Sequence, residues 1–216
     1  MVLGATLNTG LLDLAAVLTD VRDQHPGIVV HVRQSTAGSA GNLRAVADGS
    51  MDIALTASTA NPETGHPSRG IVLHPLVSEA LVFACRSDHP LSSRPYVSVS
   101  DLADETILQF PPGWGIREIV DRVFGDVPGA TEIADYALMI KLIQGGLGTT
   151  LIPASAITAA SGLRAVPLAD PRLQWDLSAA ISASRRPTAA TSALLRALTQ
   201  ASSPPQGSDL RVPPAG

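Results

Sequence analysis

Two pairs of hydrogen-bonding residues near the start of this chain are placed where a small molecule could be bound. Asn8-Thr9 follows the apolar stretch 2–5, and Ser35-Thr36 follows the β-branched run 28–32. Ligands of open α/β sheets bind outside the carboxyl ends of the strands, where the N-termini of the following helices present free N–H groups. This placement predicts a ligand site at both loops. Plain helix capping by Thr9, Ser35 and Thr36 is an equally open interpretation, and it is compatible with ligand binding.

Two loops in the second half of the chain are candidates for the same site. They contain Pro112-Gly113-Trp114 and Asp135-Tyr136, each after a predicted strand. Aromatic residues make up only 3% of the sequence, and the rigid indole of Trp114 suits either the wall of a pocket or structural packing. Asp135 more naturally caps the helix that follows it. No Arg or Lys lies in the candidate loops, with Arg117 the nearest, which favours a monocarboxylate or a weakly polar aromatic acid as ligand.

The elements that position these loops follow from hydrophobic periodicity. Residues 28–55 predict a right-handed βαβ unit: a strand interpreted as buried, a helix carrying Leu43 and Val46, a C-terminal cap at Gly49, and a second strand from Ile53. Strand, polar loop and helix recur after about residue 75, which predicts two small parallel-sheet domains rather than one large sheet. The other predicted strands are 2–5, 71–77, 80–86, 106–109, 131–134, 149–152, 163–166 and 177–182, and the other predicted helices are 11–24, 116–124, 136–144 and 188–201.

Composition and charge exclude several classes of function. The chain has 216 residues, 45% of them hydrophobic and 16% charged, and a net charge of −4 without a basic stripe, so we do not expect it to bind DNA by itself. Cys85 is the single cysteine, which excludes an internal disulfide, and it is interpreted as a buried inert thiol. The five histidines are not at metal-ligand spacing, and no catalytic motif is present. We therefore expect neither enzyme activity nor a metal or cofactor.

The ends of the chain and its apolar runs predict the subcellular location of the protein. No Lys or Arg precedes Arg22, so the apolar stretch from residue 11 lacks the charged start of a signal peptide. No apolar run approaches the length of a membrane span, about 20 residues. We therefore expect a cytoplasmic protein without membrane contact. Residues 202–216 hold four prolines and two glycines, which predicts a disordered tail.

Four segments in register resemble the effector-binding domain of LysR-type transcriptional regulators. They are His25-Pro26 with the strand after it, 43–55 ending in Asp-Gly-Ser-Met-Asp-Ile-Ala-Leu, His89-Pro90-Leu91 ahead of 99–102, and 143–148 ahead of 151–153. The resemblance covers residues 3 to about 200. It implies a periplasmic-binding-protein-like (type II) α/β fold, in which two Rossmann-like lobes enclose an interdomain cleft and are joined by two crossover strands.

The same resemblance implies where the lobes divide. Lobe I would comprise 1–74 and 183–201, and lobe II would comprise 75–182. The chain would cross between them near 73–77 and 180–184.

It also implies a ligand and a mechanism. A small effector, through its carboxylate, would meet Asn8 or Thr9, Ser35, Thr36 and the backbone of the segment 112–114. Binding would shift the angle between the lobes and so control an N-terminal helix-turn-helix DNA-binding domain, which this chain lacks. Any contact with DNA would be made through that domain.

The resemblance further implies a homodimer, or a tetramer for a full-length regulator. Helix 11–24 of one copy would lie against helix 116–124 of the other, with Leu12, Val17, Ile119 and Val123 as exposed apolar contacts. A solute-binding protein and a small enzyme such as a dehydratase, both on the same fold, are the alternatives. A solute-binding protein needs an export signal. An enzyme needs a set of acid and base groups in the cleft, and Asp135 with Tyr136 alone is not enough for one.

Overall fold

The computed structural model describes residues 1–57, 70–125 and 131–202, and strands alternate with helices through them. The elements, in chain order, are β1 Val2–Ala5, α1 Leu14–Gln24, β2 His31–Gln34, α2 Gly38–Asp48, β3 Ile53–Ala57, β4 Ile71–Arg86, α3 Gly115–Phe124, α4 Tyr136–Gln144, β5 Thr150–Pro153, β6 Leu163–Pro167, β7 Gln174–Ser182 and α5 Ala189–Ser202. The predicted helices are confirmed to within about three residues at each end. No helix among the described residues combines the length and the apolar character that a membrane crossing requires.

The sheet is mixed, with strand order β2-β1-β3-β7-β4-β5 and β6 paired to β4. β1 lies between β2 and β3 and is parallel to both, so Leu3 pairs with Val32 on one side and Ile53 on the other. The helices α1 and α2 connect these parallel strands, which is the predicted alternation. The carboxyl ends of β1, β2 and β3 therefore meet at one edge of the sheet.

Two long strands, β4 and β7, join the two halves of the molecule. β4 pairs with β7 from Ile71 to Ala80, with a register shift between Pro75 and Val77, and then pairs with β5 and β6 from Leu81 onward. The strands predicted separately at 71–77 and 80–86 are thus one strand of 16 residues. The register shift lies inside the first predicted crossing, and the lobe boundaries themselves stay a prediction.

Two of the predicted short strands are not strands in the structure, which has only isolated β-bridges at these positions. In place of 106–109 and 131–134, it has isolated parallel bridges from Ile107 to Thr149 and from Gln109 to Glu132. The backbone of Gln109 both donates to Thr131 and accepts from Ile133, so a narrow ladder holds this part of the molecule.

The prediction that residues 28–32 form a buried strand is wrong. β2 begins at His31, and Val29 and Val32 are 63% and 48% exposed. The reason is topological, because β2 is the outermost strand of the sheet, and a β-branched sequence does not distinguish an edge strand from a central one.

The predicted dimer contacts are also corrected by the structure. Leu12 and Val17 are each 3% exposed and Ile119 is fully buried, so they belong to the core, and Val123 packs against it. α1 begins only at Leu14, capped by Asp13, and its buried face is formed by Val17 and Val21, one helical turn apart. Leu14 and Leu18 of the same helix are partly buried and pack against the same core.

The last helix extends by one residue into the predicted tail. Ser202 ends α5, and its hydroxyl donates to the carbonyl oxygen of Leu198 at 2.7 Å. The rest of the predicted tail lies outside the described residues.

Candidate functional site

A small cavity of about 30 Å³ lies where the carboxyl ends of β1, β2 and β3 face the N-termini of α2, α3 and α4. Four segments line it: the end of β1 with the residues after it, the end of β2 with the start of α2, the end of β3, and the starts of α3 and α4. Trp175 of β7 completes the wall. The lining residues are Ala5, Thr6, Leu7, Asn8, Gln34, Ser35, Gly38, Ser39, Asn42, Ala57, Trp114, Gly115, Ile116, Tyr136 and Trp175.

The structure brings four of the predicted site residues together at this cavity. Asn8, Ser35, Trp114 and Tyr136 all line it, one from each of the four loops selected by the strand-end rule. The remaining predicted residues do not line the cavity: Thr9, Thr36, Pro112, Gly113 and Asp135.

The residues beside the cavity have local roles. The hydroxyl of Thr9 donates to the carbonyl oxygen of Leu12 at 2.9 Å, in the turn that leads into α1. Asp135 caps α4 by accepting from the backbone N–H of Leu138 at 2.7 Å, as its position favoured. Thr36 and Pro112 are exposed. Helix capping at α2 is not performed by a hydroxyl, because the N-cap residue is Ala37.

Asn8 is held in one orientation. Its Oδ1 accepts from the backbone N–H of Gly10 at 3.0 Å, and its own carbonyl oxygen accepts from the Thr6 hydroxyl at 2.6 Å. The Nδ2 atom is buried and makes no hydrogen bond of ordinary length, although the side chain lies near enough to the Tyr136 hydroxyl to lower the pKa of that group. A donor without a partner costs free energy when it is buried, so this atom is ready to bond an acceptor brought into the cavity.

The loop 111–114 is fixed from behind by Arg117. The buried guanidinium donates to the carbonyl oxygen of Phe110 at 3.3 Å and to the carboxylates of Asp121 and Glu132 at 2.7 and 2.9 Å. Burial lowers the pKa of Arg117, but the bonds to the two carboxylates outweigh this and raise it. The cation nearest in sequence to the loop is therefore balanced by two carboxylates, those of Asp121 and Glu132.

The loop also touches α2 and β3 directly. The backbone N–H of Ala40 donates to the carbonyl oxygen of Gly113 at 3.0 Å. Gly38 has a φ of +59°, and a Cβ there would lie 2.9 Å from the indole ring of Trp114. A Cβ on Gly115 would overlap the carbonyl oxygen of Ala57 and lie 2.6 Å from its carbonyl carbon. Glycine is required at both places for the loop to approach this closely.

Three aromatic rings stand in a row at the cavity. Phe110 stacks with Trp114 at a centroid distance of 5.8 Å and lies against Tyr136 at 4.9 Å. Burial raises the pKa of the Tyr136 hydroxyl well above its ordinary value, and the side chain of Asn8 opposes this by a smaller amount. The phenol is therefore neutral at physiological pH.

The cavity offers hydrogen-bond donors and one buried acceptor without a partner, Asn42 Oδ1, but no formal charge. Among the described residues that line it, no side chain is charged at neutral pH. Besides Asn8 Nδ2, the indole Nε1 of Trp114 is buried without a hydrogen-bond partner. The hydroxyl of Ser39 accepts from the backbone N–H of Ala57 at 3.0 Å, which leaves its own proton to donate. This arrangement suits a small molecule that carries acceptor oxygens.

Sequence reasoning missed several lining residues, among them Thr6, Gln34, Asn42 and Trp175. Thr6 and Gln34 adjoin predicted residues at the same strand ends, so a wider window would have included them. Ser39 and Asn42 are three residues apart on α2 and both are buried, which is unusual for polar side chains and is a usable signal only once the helix face is known.

Comparison with known proteins gives one family and one fold. The family model "LysR substrate binding domain" matches residues 2–203. A probable hydrogen peroxide-inducible genes activator of Mycobacterium avium is 28% identical over 149 residues, which is 67% of this chain and 45% of that protein. The chain spans about half the length of the curated relatives it matches.

Solved structures show the same fold. The BenM effector-binding domain with its effector benzoate superposes with a TM-score of 0.71 at 22% identity, covering 93% of this chain and 90% of that one. The effector-binding domain of QuiR in complex with shikimate superposes with a TM-score of 0.76 at 17% identity, covering 94% of this chain and 96% of that one. The predicted type II periplasmic-binding-protein-like α/β fold is thereby confirmed.

Proposed function

This chain belongs to the LysR substrate-binding domain family, and we propose that it is the ligand-sensing part of a LysR-type transcriptional regulator. In this proposal, a small effector binds in the cavity at the carboxyl ends of β1, β2 and β3 and controls a helix-turn-helix DNA-binding domain of the same regulator. The observation that carries the proposal is the pair of buried donors without partners, Asn8 Nδ2 and Trp114 Nε1, at the edge of the sheet where ligands of this architecture bind.

The proposed signal is a change in the arrangement of two lobes, with lobe I formed by 1–74 and 183–201 and lobe II by 75–182. An effector shifts such an equilibrium only as far as its affinities for the two arrangements differ. The direct contacts between Gly113 and Ala40, and between Gly115 and Ala57, exist only when the two lobes are close. A molecule that enters the cavity and bridges Asn8 to the loop 111–114 would therefore stabilise one arrangement over the other.

The proposed effector is a small monocarboxylate. The donors at the cavity require acceptor oxygens, and a carboxylate can accept from two of them at once. The N-terminus of α2 adds the favourable end of a helix dipole, which supports a single negative charge without a buried lysine or arginine. Benzoate and shikimate, bound by the two structurally similar domains, are both carboxylates.

Replacing Asn8 with aspartate should weaken carboxylate binding about 10- to 150-fold, the equivalent of about 1.5–3 kcal/mol for a charge-assisted hydrogen bond. The substitution keeps an oxygen to accept from Gly10, removes the buried donor and adds a negative charge that repels the carboxylate, so the loss should reach or exceed this range. The measurement is isothermal titration calorimetry with those members of a panel of acetate, propionate, pyruvate and benzoate that raise the melting temperature of the parent protein.

The matched control for this experiment is Thr36→Val, which removes a hydroxyl from the neighbouring loop at an exposed position off the cavity. Its affinity should equal that of the parent within about twofold. Equal affinity in the Asn8 variant, or a large loss in the Thr36 variant, would place the carboxylate elsewhere. A panel in which no carboxylate binds the parent would contradict the proposed effector class.

A peroxide-sensing role, which the name of the Mycobacterium avium relative raises, has no support from the cysteine. The thiol of Cys85 is fully buried, and burial raises its pKa to about 11. Thiolate is the reactive form, so the folded protein should react with iodoacetamide or hydrogen peroxide far more slowly than the protein unfolded in urea. Intact-mass spectrometry over time checks this. Native labelling at the rate of the unfolded chain would make Cys85 a redox-active residue.

We further propose that the regulator acts as a homodimer or a tetramer in the cytoplasm, where its DNA is, and that this domain senses rather than catalyses. The solute-binding and dehydratase alternatives are not favoured, because the curated relatives are named as transcriptional regulators or activators. The exposed Leu11 ahead of α1 is an apolar group left for a subunit contact, in place of the buried Leu12 and Val17.

A further inference from the structure

We infer that Trp114 sets the size limit of the cavity, so that the sensor proposed above admits acetate- to propionate-sized monocarboxylates and excludes aromatic acids. This inference rests on the proposed function. It concerns which carboxylate the site takes, and it follows from where the indole lies.

The indole occupies the part of the site where the apolar body of a larger ligand would have to lie. One side of the ring approaches Gly38 so closely that a Cβ would meet its Cγ and Cδ2 at 2.9 Å, and the ring also stacks with Phe110. Trp114 thus fills the space between the N-terminus of α2 and the start of α3. A second aromatic ring has no room there.

The remaining space is small. The cavity measures about 30 Å³, whereas a single water needs about 10–15 Å³ by a comparable measure, and an apolar cavity of about 150 Å³ holds benzene. The cavity is therefore about one fifth the size of one that is known to hold benzene. A carboxylate with one or two further carbons needs only a modest adjustment of the walls.

The indole is also held in place. The hydrogen bond from Ala40 to Gly113 fixes the loop on the cavity side, and the hydrogen bond from Arg117 to Phe110 fixes it from behind. Swinging the ring outward would break the stack with Phe110 as well. While the two lobes are close, the ring therefore acts as a wall of fixed position, and its buried Nε1 offers the entering carboxylate a donor that the protein itself leaves without a partner.

Trp114→Ala should reverse the size preference. In calorimetry on the full chain, the parent should bind acetate or propionate at least tenfold more tightly than benzoate, and Trp114→Ala should bind benzoate at least tenfold more tightly than the parent does. Tyr96→Ala removes an exposed aromatic ring away from the cavity and should leave all affinities unchanged. Indole itself is a second probe, which should bind Trp114→Ala and not the parent.

The outcomes separate the size limit from the proposed function. If no carboxylate binds either protein but indole binds Trp114→Ala, the size limit stands and the carboxylate effector is wrong. If the parent binds benzoate as tightly as the variant does, the size limit is wrong. A folded variant, judged by circular dichroism, that takes neither indole nor benzoate also overturns it. Should Trp114→Ala fail to fold, Trp114→Leu takes its place, with the same gain in benzoate affinity expected.

Discussion

Gly115→Ala should lower the free energy of unfolding by about 1–3 kcal/mol, the usual cost of forcing extra atoms into a packed site, and it should separate α3 from β3. The added Cβ would overlap the carbonyl oxygen of Ala57 and lie 2.6 Å from its carbonyl carbon. Both are backbone atoms at the end of a fully buried strand, so no side-chain rotation can relieve the clash. The two elements must move apart.

Urea denaturation measures the loss of stability, and amide hydrogen exchange measures the separation. The N–H of Ala40 should exchange faster in the variant, because its acceptor, the carbonyl oxygen of Gly113, is carried on the same loop as Gly115. Gly27→Ala is the control: nothing lies within 4 Å of a Cβ built there, and the residue does not have a positive φ. It should be neutral, or stabilising by a few tenths to about 1 kcal/mol through the unfolded state. A Gly115 variant as stable as this control would show that the contact is not required.

The sequence was sufficient for most of the elements and for the order in which they alternate. Helix α4 was predicted with its observed bounds, and the C-cap at Gly49 does adopt the left-handed conformation. Local pattern determines these features. It does not determine which strand lies at an edge, because β2 has the β-branched composition of a central strand but pairs on one side only. Leu12 was predicted on an exposed face of a helix that begins at residue 11, but the N-cap at Asp13 leaves it ahead of α1, where it is buried.

At the candidate site, the strand-end rule selected four loops that meet at one cavity, but not all of the residues it selected line that cavity. It found Asn8, Ser35, Trp114 and Tyr136, since topology alone brings those loops to one edge. It also selected Thr36, whose side chain is exposed, because the rule does not specify side-chain direction. The close approaches at Gly38 and Gly115 depend on distances between segments far apart in sequence. No local signal contains that information.

The two tryptophans differ in what they do, and their truncation should differ accordingly. Trp175 is 2% exposed, lies opposite Glu79 in the ladder between β7 and β4, and has ring atoms about 3 Å from where a Cβ on Gly10 would stand. Glu79 is itself held by two hydrogen bonds from Ser155, one from its hydroxyl at 3.0 Å and one from its backbone N–H at 3.2 Å. The ring is therefore packed into the region where β4 changes its pairing from β7 to β5 and β6.

Trp175→Ala should lower the free energy of unfolding by about 3–5 kcal/mol, because it removes the largest fully buried side chain and leaves a cavity that rigid strands on both sides cannot fill. Trp175→Phe keeps an aromatic ring, so its free energy of unfolding should fall by clearly less. Trp114→Ala should also lower the free energy of unfolding by less than Trp175→Ala does, since Trp114 is only half-buried and lines a cavity that is already open. Urea denaturation followed by circular dichroism compares all three. Equal losses for Trp175→Ala and Trp114→Ala would mean that Trp114 is a core residue too, and its role as the wall that limits the size of the cavity would have to be abandoned.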